Sequence, residues 1–262
     1  MEVIIRSDEG KAASLTAQLI ARELRVKPDL VLGLATGRTM EELYRHLAKL
    51  HREAGLSFAR VRTFNLDEYI GIPADHPCSY RHYMDEHLFS KVDIKPANTH
   101  LPNGMAEDLA WECAAYEGLM KACGGIDLQL LGIGSDGHIG FNEPLSALQS
   151  RTREKALTPS TLRQNAAMFG GDVAKVPRRA ITMGVGTILE SRRCVVLVTG
   201  ENKANIVAQA VEGPITAMVS ASALQLHPRC TVIVDEAAAD GLKGKDYYRW
   251  IFANEPEWVE FR

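Results

Sequence analysis

The sequence predicts an α/β fold: one domain, residues 1–262, with a mostly parallel, Rossmann-like sheet and helices on both faces. Short apolar runs, such as residues 30–34 and 194–199, alternate with segments whose apolar residues recur at helical spacing. Strands that are apolar along their whole length are typical of a parallel sheet covered on both faces. With 262 residues, 46% of them hydrophobic, the chain is long enough for one large core.

The predicted elements follow in a regular order. Residues 2–5 form a first strand, and Asp8 caps a helix that ends at Pro28. A second helix begins near Met40, after a strand and a turn. The remaining predicted strands are 30–34, 61–65, 126–133, 180–185, 194–199 and 230–235, and the remaining helices are 80–88, 110–123 and 203–211.

Composition excludes several classes of partner. Lys and Arg total 30 and Asp and Glu total 33, so no charge excess favours nucleic acid or an anionic membrane. No apolar run has the length of a signal peptide or a membrane span. The five cysteines include no CxxC pair, and no HxxxH or HExxH spacing occurs. We therefore expect a cytoplasmic protein with no metal and no nucleic-acid or membrane partner.

Ligands of parallel sheets bind at the carboxyl ends of strands, and four strand ends here carry polar residues. At the first, Thr36, Gly37, Arg38 and Thr39 lead from a strand into a helix. Free backbone N–H groups at a helix start favour an anion such as phosphate. An ordinary turn capped by Thr39 explains the same residues equally well.

The second and fourth strand ends are ambiguous when each is taken alone. Asp67 and Glu68 directly follow the strand at 61–65, where a carboxylate could act as a general base or simply lie in a solvated loop. Lys203 begins a helix, where a cation opposes the helix dipole unless it meets an anion. A surface lysine and a loop acid are the commoner alternatives.

The third strand end is the most informative. Its glycines spell GxGxxG, but the sequence continues to Pro144 without the apolar helix that a dinucleotide site requires. The glycines instead form a loop that brings Asp136, His138 and Glu143 close together. Two carboxylates beside an imidazole can fix its tautomer and tune its proton affinity. We favour a functional site over a structural histidine.

Taken together, these segments resemble the glucosamine-6-phosphate deaminase family. The resemblance covers nearly the whole chain, and FNLDEYIG with GIGSDGHIGFNEP is its most specific part. The FNEP ending distinguishes the chain from the related 6-phosphogluconolactonases. The matching stretches are GLATGRT, FNLDEYIG, HPCSY, GIGSDGHIGFNEP, SRTREK, VPRRAITMGVGTIL and AVEGPITAMVSASALQLHP.

The resemblance implies conversion of glucosamine 6-phosphate to fructose 6-phosphate and ammonia, in amino-sugar catabolism and without a cofactor. His138, supported by Asp136 and Glu143, then opens the sugar ring, and Asp67 transfers a proton from C2 to C1. Glu68 should not share that step, because adjacent side chains of an extended backbone point in opposite directions. Thr36–Thr39 and Lys203 hold the phosphate.

One phosphate-binding position departs from the family. Ala167 occupies the place of an arginine that clamps the phosphate in bacterial members. Arg163 lies one helical turn earlier, and Arg38 stands where members often carry glycine. We expect one of these two arginines to supply the missing charge.

The resemblance also implies regulation. Allosteric members form hexamers and bind N-acetylglucosamine 6-phosphate between subunits. Their contact residues match Ser146, Arg153 and Lys155, and a further contact falls near Tyr247 or Tyr248. We therefore expect a homo-oligomer with this activator as a second ligand.

Two alternative functions remain to be weighed. A lactonase keeps the fold and the phosphate site but releases no ammonia. A sugar-phosphate sensor domain of a transcription regulator needs a DNA-binding helix-turn-helix, whereas this chain enters its first strand at once.

Overall fold

A computed structural model describes all 262 residues. Ten strands and eight α-helices make up its regular structure, with short 3-10 helices between them. The strands are β1 (Glu2–Arg6), β2 (Val31–Leu34), β3 (Arg62–Asn65), β4 (Asp67–Tyr69), β5 (Thr99–His100), β6 (Leu128–Leu131), β7 (Arg153–Ala156), β8 (Arg179–Thr182), β9 (Cys194–Val198) and β10 (Cys230–Asp235). The helices are α1 (Glu9–Val26), α2 (Arg38–Ala54), α3 (Tyr80–His87), α4 (Leu109–Ala122), α5 (Pro159–Asn165), α6 (Val185–Leu189), α7 (Ala204–Glu212) and α8 (Lys245–Asn254).

Seven strands form one parallel sheet, in the order β1-β10-β9-β6-β2-β3-β5. Every residue of β2, β6, β9 and β10 is buried, as expected for strands covered on both faces. The predicted fold class is therefore confirmed. The chain builds outward from β2 to β5 and then returns through β6 to β10, so the strand order reverses between β2 and β6. Ligands of open α/β sheets bind at such a reversal.

A second, antiparallel sheet was not expected from the sequence. It contains β4, β8 and β7, in that order. The apolar run at 180–185, predicted as part of the parallel sheet, in fact contributes β8 to this smaller sheet. No apolar run signals β7, because its residues alternate between half-buried and exposed. A separate cluster of nine buried apolar residues, including Tyr69, Tyr80 and Phe141, packs beside it.

Helix starts agree with the sequence analysis at α1 but not at α2. The Asp8 carboxylate accepts a hydrogen bond from the Lys11 N–H at 2.8 Å, so Asp8 caps α1 as predicted. Helix α2 begins at Arg38, two residues before the predicted start, and its N-cap is Gly37 rather than Thr39. Gly37 has φ of 115°, a conformation that favours glycine. Helices α5, α6 and α8 were not predicted. None of the helices combines the length and the apolar character needed to cross a membrane.

Candidate active site

The four polar strand ends meet at one edge of the parallel sheet. Their strands, β9, β6, β2 and β3, are consecutive neighbours in the sheet. One hydrogen bond already joins two of the ends, because the Lys203 ammonium donates to the carbonyl of Ile133 at 2.8 Å. The sheet order therefore gathers residues that lie far apart in the sequence into a single crevice.

The loop after β6 brings Asp136, His138 and Glu143 together, as the sequence predicted. Nδ1 of His138 lies 2.5 Å from Oδ1 of Asp136 and 3.7 Å from Oε2 of Glu143. Both carboxylates thus face the same ring nitrogen, which favours a proton on Nδ1 and leaves Nε2 as the free acceptor. The bond to His138 lowers the pKa of Asp136 against the opposing effect of burial.

Gly134 makes room for the His138 ring. A Cβ atom at position 134 would lie 2.3 Å from Nε2 and Cε1 of His138, which is closer than any real contact. Position 134 therefore needs glycine because the imidazole ring occupies the space of a side chain, and no dinucleotide-binding motif is needed to explain it.

Glu143 is fixed from the opposite side by the start of α5. The residue is 1% exposed, and its carboxylate accepts hydrogen bonds from the Thr158 N–H at 3.0 Å and from the Thr158 hydroxyl at 3.2 Å. Thr158 is also the N-cap of α5. Nothing near Glu143 in the sequence singles out Thr158, although a threonine before Pro159 is a recognised helix-start signal.

Asp67 is a buried carboxylate at the start of β4. It is 6% exposed and pairs with Thr182 of β8 in the small sheet. Burial, together with the neighbouring charge of Glu68, raises the pKa of Asp67 from its ordinary value of 3.8 to about 8. A carboxylate with such a pKa is a good proton acceptor near neutral pH.

Asp67 lies against the loop that carries His138. A Cβ atom on Gly140 would lie 3.4 Å from Oδ2 of Asp67 and 2.9 Å from Oγ1 of Thr182. The same Thr182 hydroxyl accepts a hydrogen bond from the Phe141 N–H at 3.0 Å. The small sheet therefore holds the Asp67 carboxylate against the segment that directly follows His138.

Glu68 points away from Asp67, as expected for neighbours on a strand. Its carboxylate accepts backbone N–H bonds from Tyr69, Tyr80 and Arg81 at 2.8, 3.0 and 2.9 Å. Burial raises the pKa of Glu68, and these three bonds oppose that rise. Glu68 thus anchors the start of α3 to β4, which is a structural function.

The predicted phosphate site lies at the start of α2. Thr36, Gly37 and Thr39 are half-buried and Arg38 is exposed. No side chain caps this helix, so its first N–H groups are free to bind an anion. The Tyr83 hydroxyl donates to the Gly37 carbonyl at 2.8 Å and fixes the turn.

Lys203 and Arg163 are two further residues predicted to bind the phosphate, and neither belongs to α2. Desolvation lowers the pKa of Lys203, and the charge of Asp136 opposes this. Arg163 is exposed on α5. That helix contacts the loop after β6, because the Gln164 side-chain oxygen accepts from the Ser135 N–H and hydroxyl at 3.2 and 2.7 Å.

The three residues matched to an allosteric site are less clearly grouped. Arg153 and Lys155 are half-buried at alternate positions of β7. Arg153 donates to the side-chain oxygen of Asn142 at 3.0 Å, which connects β7 to the loop after β6. Ser146 is buried, and its hydroxyl has no hydrogen-bond partner.

A divalent metal would find its ligands only within the acid–imidazole group. One ligand atom from each of Asp136, His138 and Glu143 lies within 4.8 Å of the others. The short Asp136–His138 hydrogen bond uses Nδ1, so a metal at this point would have to displace a proton.

Comparison with known proteins identifies the family. The sequence pattern of the family described as glucosamine-6-phosphate isomerases/6-phosphogluconolactonase matches residues 9–232. A glucosamine-6-phosphate deaminase of Hahella chejuensis is 52% identical over 251 residues, covering 96% of this chain and 95% of the relative. One from Streptomyces coelicolor is 50% identical over 258 residues, covering 98% and 99%.

Solved structures agree in fold. A monomeric glucosamine-6-phosphate deaminase superposes with a TM-score of 0.90 at 44% identity, covering 92% of this chain and all of that one. The 6-phosphogluconolactonase of Trypanosoma brucei gives 0.72 at 21% identity, over 92% and 98% of the two chains, which is a likeness of fold alone. With the pattern matched over most of its length and relatives near 50% identity, the chain belongs to the glucosamine-6-phosphate isomerase/6-phosphogluconolactonase family.

Proposed function

We propose that the chain converts glucosamine 6-phosphate to fructose 6-phosphate and ammonia. The observation that carries this proposal is the pairing of a buried, high-pKa carboxylate, Asp67, with the Asp136–His138–Glu143 group in one crevice. The full-length similarity to glucosamine-6-phosphate deaminases supports the same reaction.

Ring opening is assigned to His138. With Nδ1–H facing two carboxylates, Nε2 can accept the proton of the sugar O1 hydroxyl and return a proton to the ring oxygen as the C1–O5 bond breaks. The imidazolium formed in between is stabilised by Asp136 and Glu143. Because Glu143 is buried, water screens its charge only weakly, and its attraction to the imidazolium is stronger than it would be at the surface.

Isomerisation and deamination follow on the open chain. Asp67 removes the proton from C2 while the C2 ammonium group gives up a proton to the aldehyde oxygen O1, which produces an enolamine. Asp67 then returns its proton to C1. The C2 iminium that results is hydrolysed by water, so that C2 becomes a ketone and ammonia leaves. Each step moves a proton and a bonding pair without oxidation, so the residues present suffice for the reaction.

The phosphate is assigned to the start of α2 and to Lys203. Thr36, Gly37 and Thr39 offer hydroxyl and backbone N–H donors there, and Lys203 offers a charge. Family members have a phosphate-binding arginine at the position of Ala167, and we assign its function here to Arg38 or Arg163. With the phosphate anchored at this strand end, we expect C1 and C2 of the sugar to face His138 and Asp67.

A lactonase reaction is the competing candidate for the same crevice. Hydrolysis of a lactone needs an activated water but no base positioned at C2. The buried Asp67 carboxylate has no function in such a reaction, and its burial is costly without one. This favours the deaminase.

The test is an ammonia-release assay with glucosamine 6-phosphate on the wild type and on Asp67→Asn. We expect turnover in the wild type and a loss of about 10²–10⁴-fold in the variant with binding kept, because the amide cannot take up a proton. Absence of ammonia with the wild type, together with hydrolysis of 6-phosphogluconolactone, would assign the chain to the lactonases.

The proposal extends to regulation by N-acetylglucosamine 6-phosphate at Ser146, Arg153 and Lys155 in a homo-oligomer, a hexamer by the family resemblance. It is supported by two cations on one side of β7 and by the link from Arg153 to the catalytic loop. The solved relative is described as monomeric. Hyperbolic kinetics unaffected by this sugar, or a monomer in light scattering, would contradict the extension.

Five free cysteines support a cytoplasmic location.

A further inference from the structure

We infer that Thr158 is a positioning residue, and that its hydroxyl orients the Glu143 carboxylate toward Nδ1 of His138. The inference rests on the proposed function, since it concerns the group assigned to ring opening. It adds a residue to which neither the sequence pattern nor the family comparison gives a function.

The first support is the set of donors around Glu143. The carboxylate is buried, and both of its hydrogen bonds come from Thr158: the backbone N–H binds Oε1 at 3.0 Å and the hydroxyl binds Oε2 at 3.2 Å. Two bonds from one residue fix the plane of the carboxylate. Oε2 is the oxygen that lies 3.7 Å from Nδ1 of His138, so the hydroxyl contacts the atom that faces the imidazole.

The second support is the direction of the hydroxyl proton. Oγ1 of Thr158 lies 3.1 Å from Oγ1 of Thr161, which is buried and has no other hydrogen-bond partner. A buried hydroxyl donates its proton where it can, so Thr161 donates to Thr158. Thr158 must then direct its own single proton to Glu143. The resulting chain runs from Thr161 through Thr158 and Glu143 to His138.

Removing the hydroxyl should therefore affect the chemical step and not substrate binding. In Thr158→Val the backbone N–H still binds Oε1, but Oε2 loses its donor and the carboxylate is free to turn. We expect kcat to fall about 10- to 100-fold, a part of the effect that positioned acid–base groups contribute, with KM changed less than twofold.

The hydroxyl also caps α5, so the test must separate the two functions. Thr158→Ser keeps both the cap and the donor, and should restore kcat. Glycine is tolerated at an N-cap at a cost of only a few tenths of a kcal/mol relative to threonine or serine, yet it has no hydroxyl. Thr158→Gly should therefore lose kcat as the valine variant does. Asp8→Gly is the matched control: it removes the side-chain cap of α1, a helix that carries none of the site residues, and kcat should stay near the wild-type value.

The experiment measures kcat, KM and thermal midpoint for the wild type and these four variants, using ammonia release from glucosamine 6-phosphate. Loss of kcat in the Val and Gly variants, with recovery in Ser, supports the inference. Wild-type kcat in Thr158→Gly overturns it, since only the cap would then matter, and this holds even if Thr158→Val does not fold. A wild type that releases no ammonia counts against the proposed function itself, whereas an active wild type with an equally active Gly variant counts against Thr158 alone.

Discussion

Gly140, in the loop after β6, lies beside the carboxylate of Asp67 in β4. A Cβ atom on Gly140 would lie 3.4 Å from Oδ2 of Asp67, so the loop that follows β6 passes directly against a carboxylate of β4. The parallel sheet thus supplies the loop of His138, and the small antiparallel sheet supplies the carboxylate. In the proposed reaction, ring opening at C1 and O5 and proton transfer at C2 occur at adjacent atoms of the substrate, so this close approach fits the functions proposed for His138 and Asp67.

The first prediction concerns pH and rate. Burial and the charge of Glu68 raise the pKa of Asp67 to about 8, and only the ionised carboxylate can accept the C2 proton. We expect kcat/KM to rise about tenfold per pH unit below pH 8 and to level off above it. Measurement of kcat/KM between pH 6 and pH 9.5 checks this. A constant value from pH 6 to pH 8 would contradict the assignment.

The second prediction concerns stability. Since the pKa of Asp67 is raised in the folded state, the folded protein holds this proton between about pH 4 and pH 8 while the unfolded chain releases it. Asp67 therefore lowers the free energy of unfolding by about 1.4 kcal/mol per pH unit in this window. Asp67→Asn should gain stability over the wild type as the pH rises from 5 to 8, although it loses turnover.

Urea denaturation of both proteins at pH 5, 6.5 and 8 measures this difference. Asp108→Asn, at the exposed N-cap of α4, provides the control, because Asp108 has no charged neighbour in a buried site. If the unfolding free energies of Asp67→Asn and the wild type differ by the same amount at all three pH values, the carboxylate is not protonated in the folded protein.

The third prediction separates Glu68 from Asp67. Glu68→Gln cannot satisfy all three backbone N–H groups of Tyr69, Tyr80 and Arg81, so we expect a loss of about 1–3 kcal/mol in unfolding free energy. Removal of the Glu68 charge should also move the rate profile to lower pH, because that charge helps to raise the pKa of Asp67. If the rise of kcat/KM with pH came from a titrating group of the substrate, its midpoint would be the same in Glu68→Gln as in the wild type. An unchanged midpoint would therefore contradict the assignment of this rise to Asp67.

The sequence predicted the parallel sheet well and the small sheet poorly, for a physical reason. Strands β2, β6, β9 and β10 are buried on both faces and therefore read as continuous apolar runs. Strand β4 is Asp-Glu-Tyr, wholly buried but polar, and it resembles a loop in any pattern of hydropathy. Its formation depends on pairing with β8, more than 100 residues later, which no local signal reveals.

The candidate site was predicted in part for the same reason. Asp136, His138 and Glu143 lie within eight residues, so their proximity follows from a tight glycine loop. Thr158 reaches Glu143 from another element, and Thr182 reaches the loop after β6 from β8. Both contacts depend on tertiary packing, which the sequence alone does not specify.

The fourth prediction concerns Gly134. In Gly134→Ala the new methyl group would lie 2.3 Å from the His138 ring, so either the ring or the loop must move. We expect a loss of turnover of about 10²-fold or more, comparable to the misplacement of a catalytic group. Gly118→Ala is the matched control: it lies inside α4 with open space around it, and should keep turnover while gaining about 0.5–1 kcal/mol. Equal turnover in both variants would show that His138 does not need its present position.

The fifth prediction concerns the arginine that replaces the family's phosphate clamp. Arg38 begins α2 beside the free N–H groups, and Arg163 lies on α5, which contacts the loop after β6 through Gln164. Each is exposed, so removal should leave stability unchanged. We expect Ala at one of the two positions to raise KM about tenfold with little change in kcat, because the phosphate is bound equally in the ground state and the transition state. Arg60→Ala, a surface arginine before β3, serves as the control for loss of one charge. If KM stays at the wild-type value in both Arg38→Ala and Arg163→Ala, the phosphate is held by Lys203 and the α2 backbone alone.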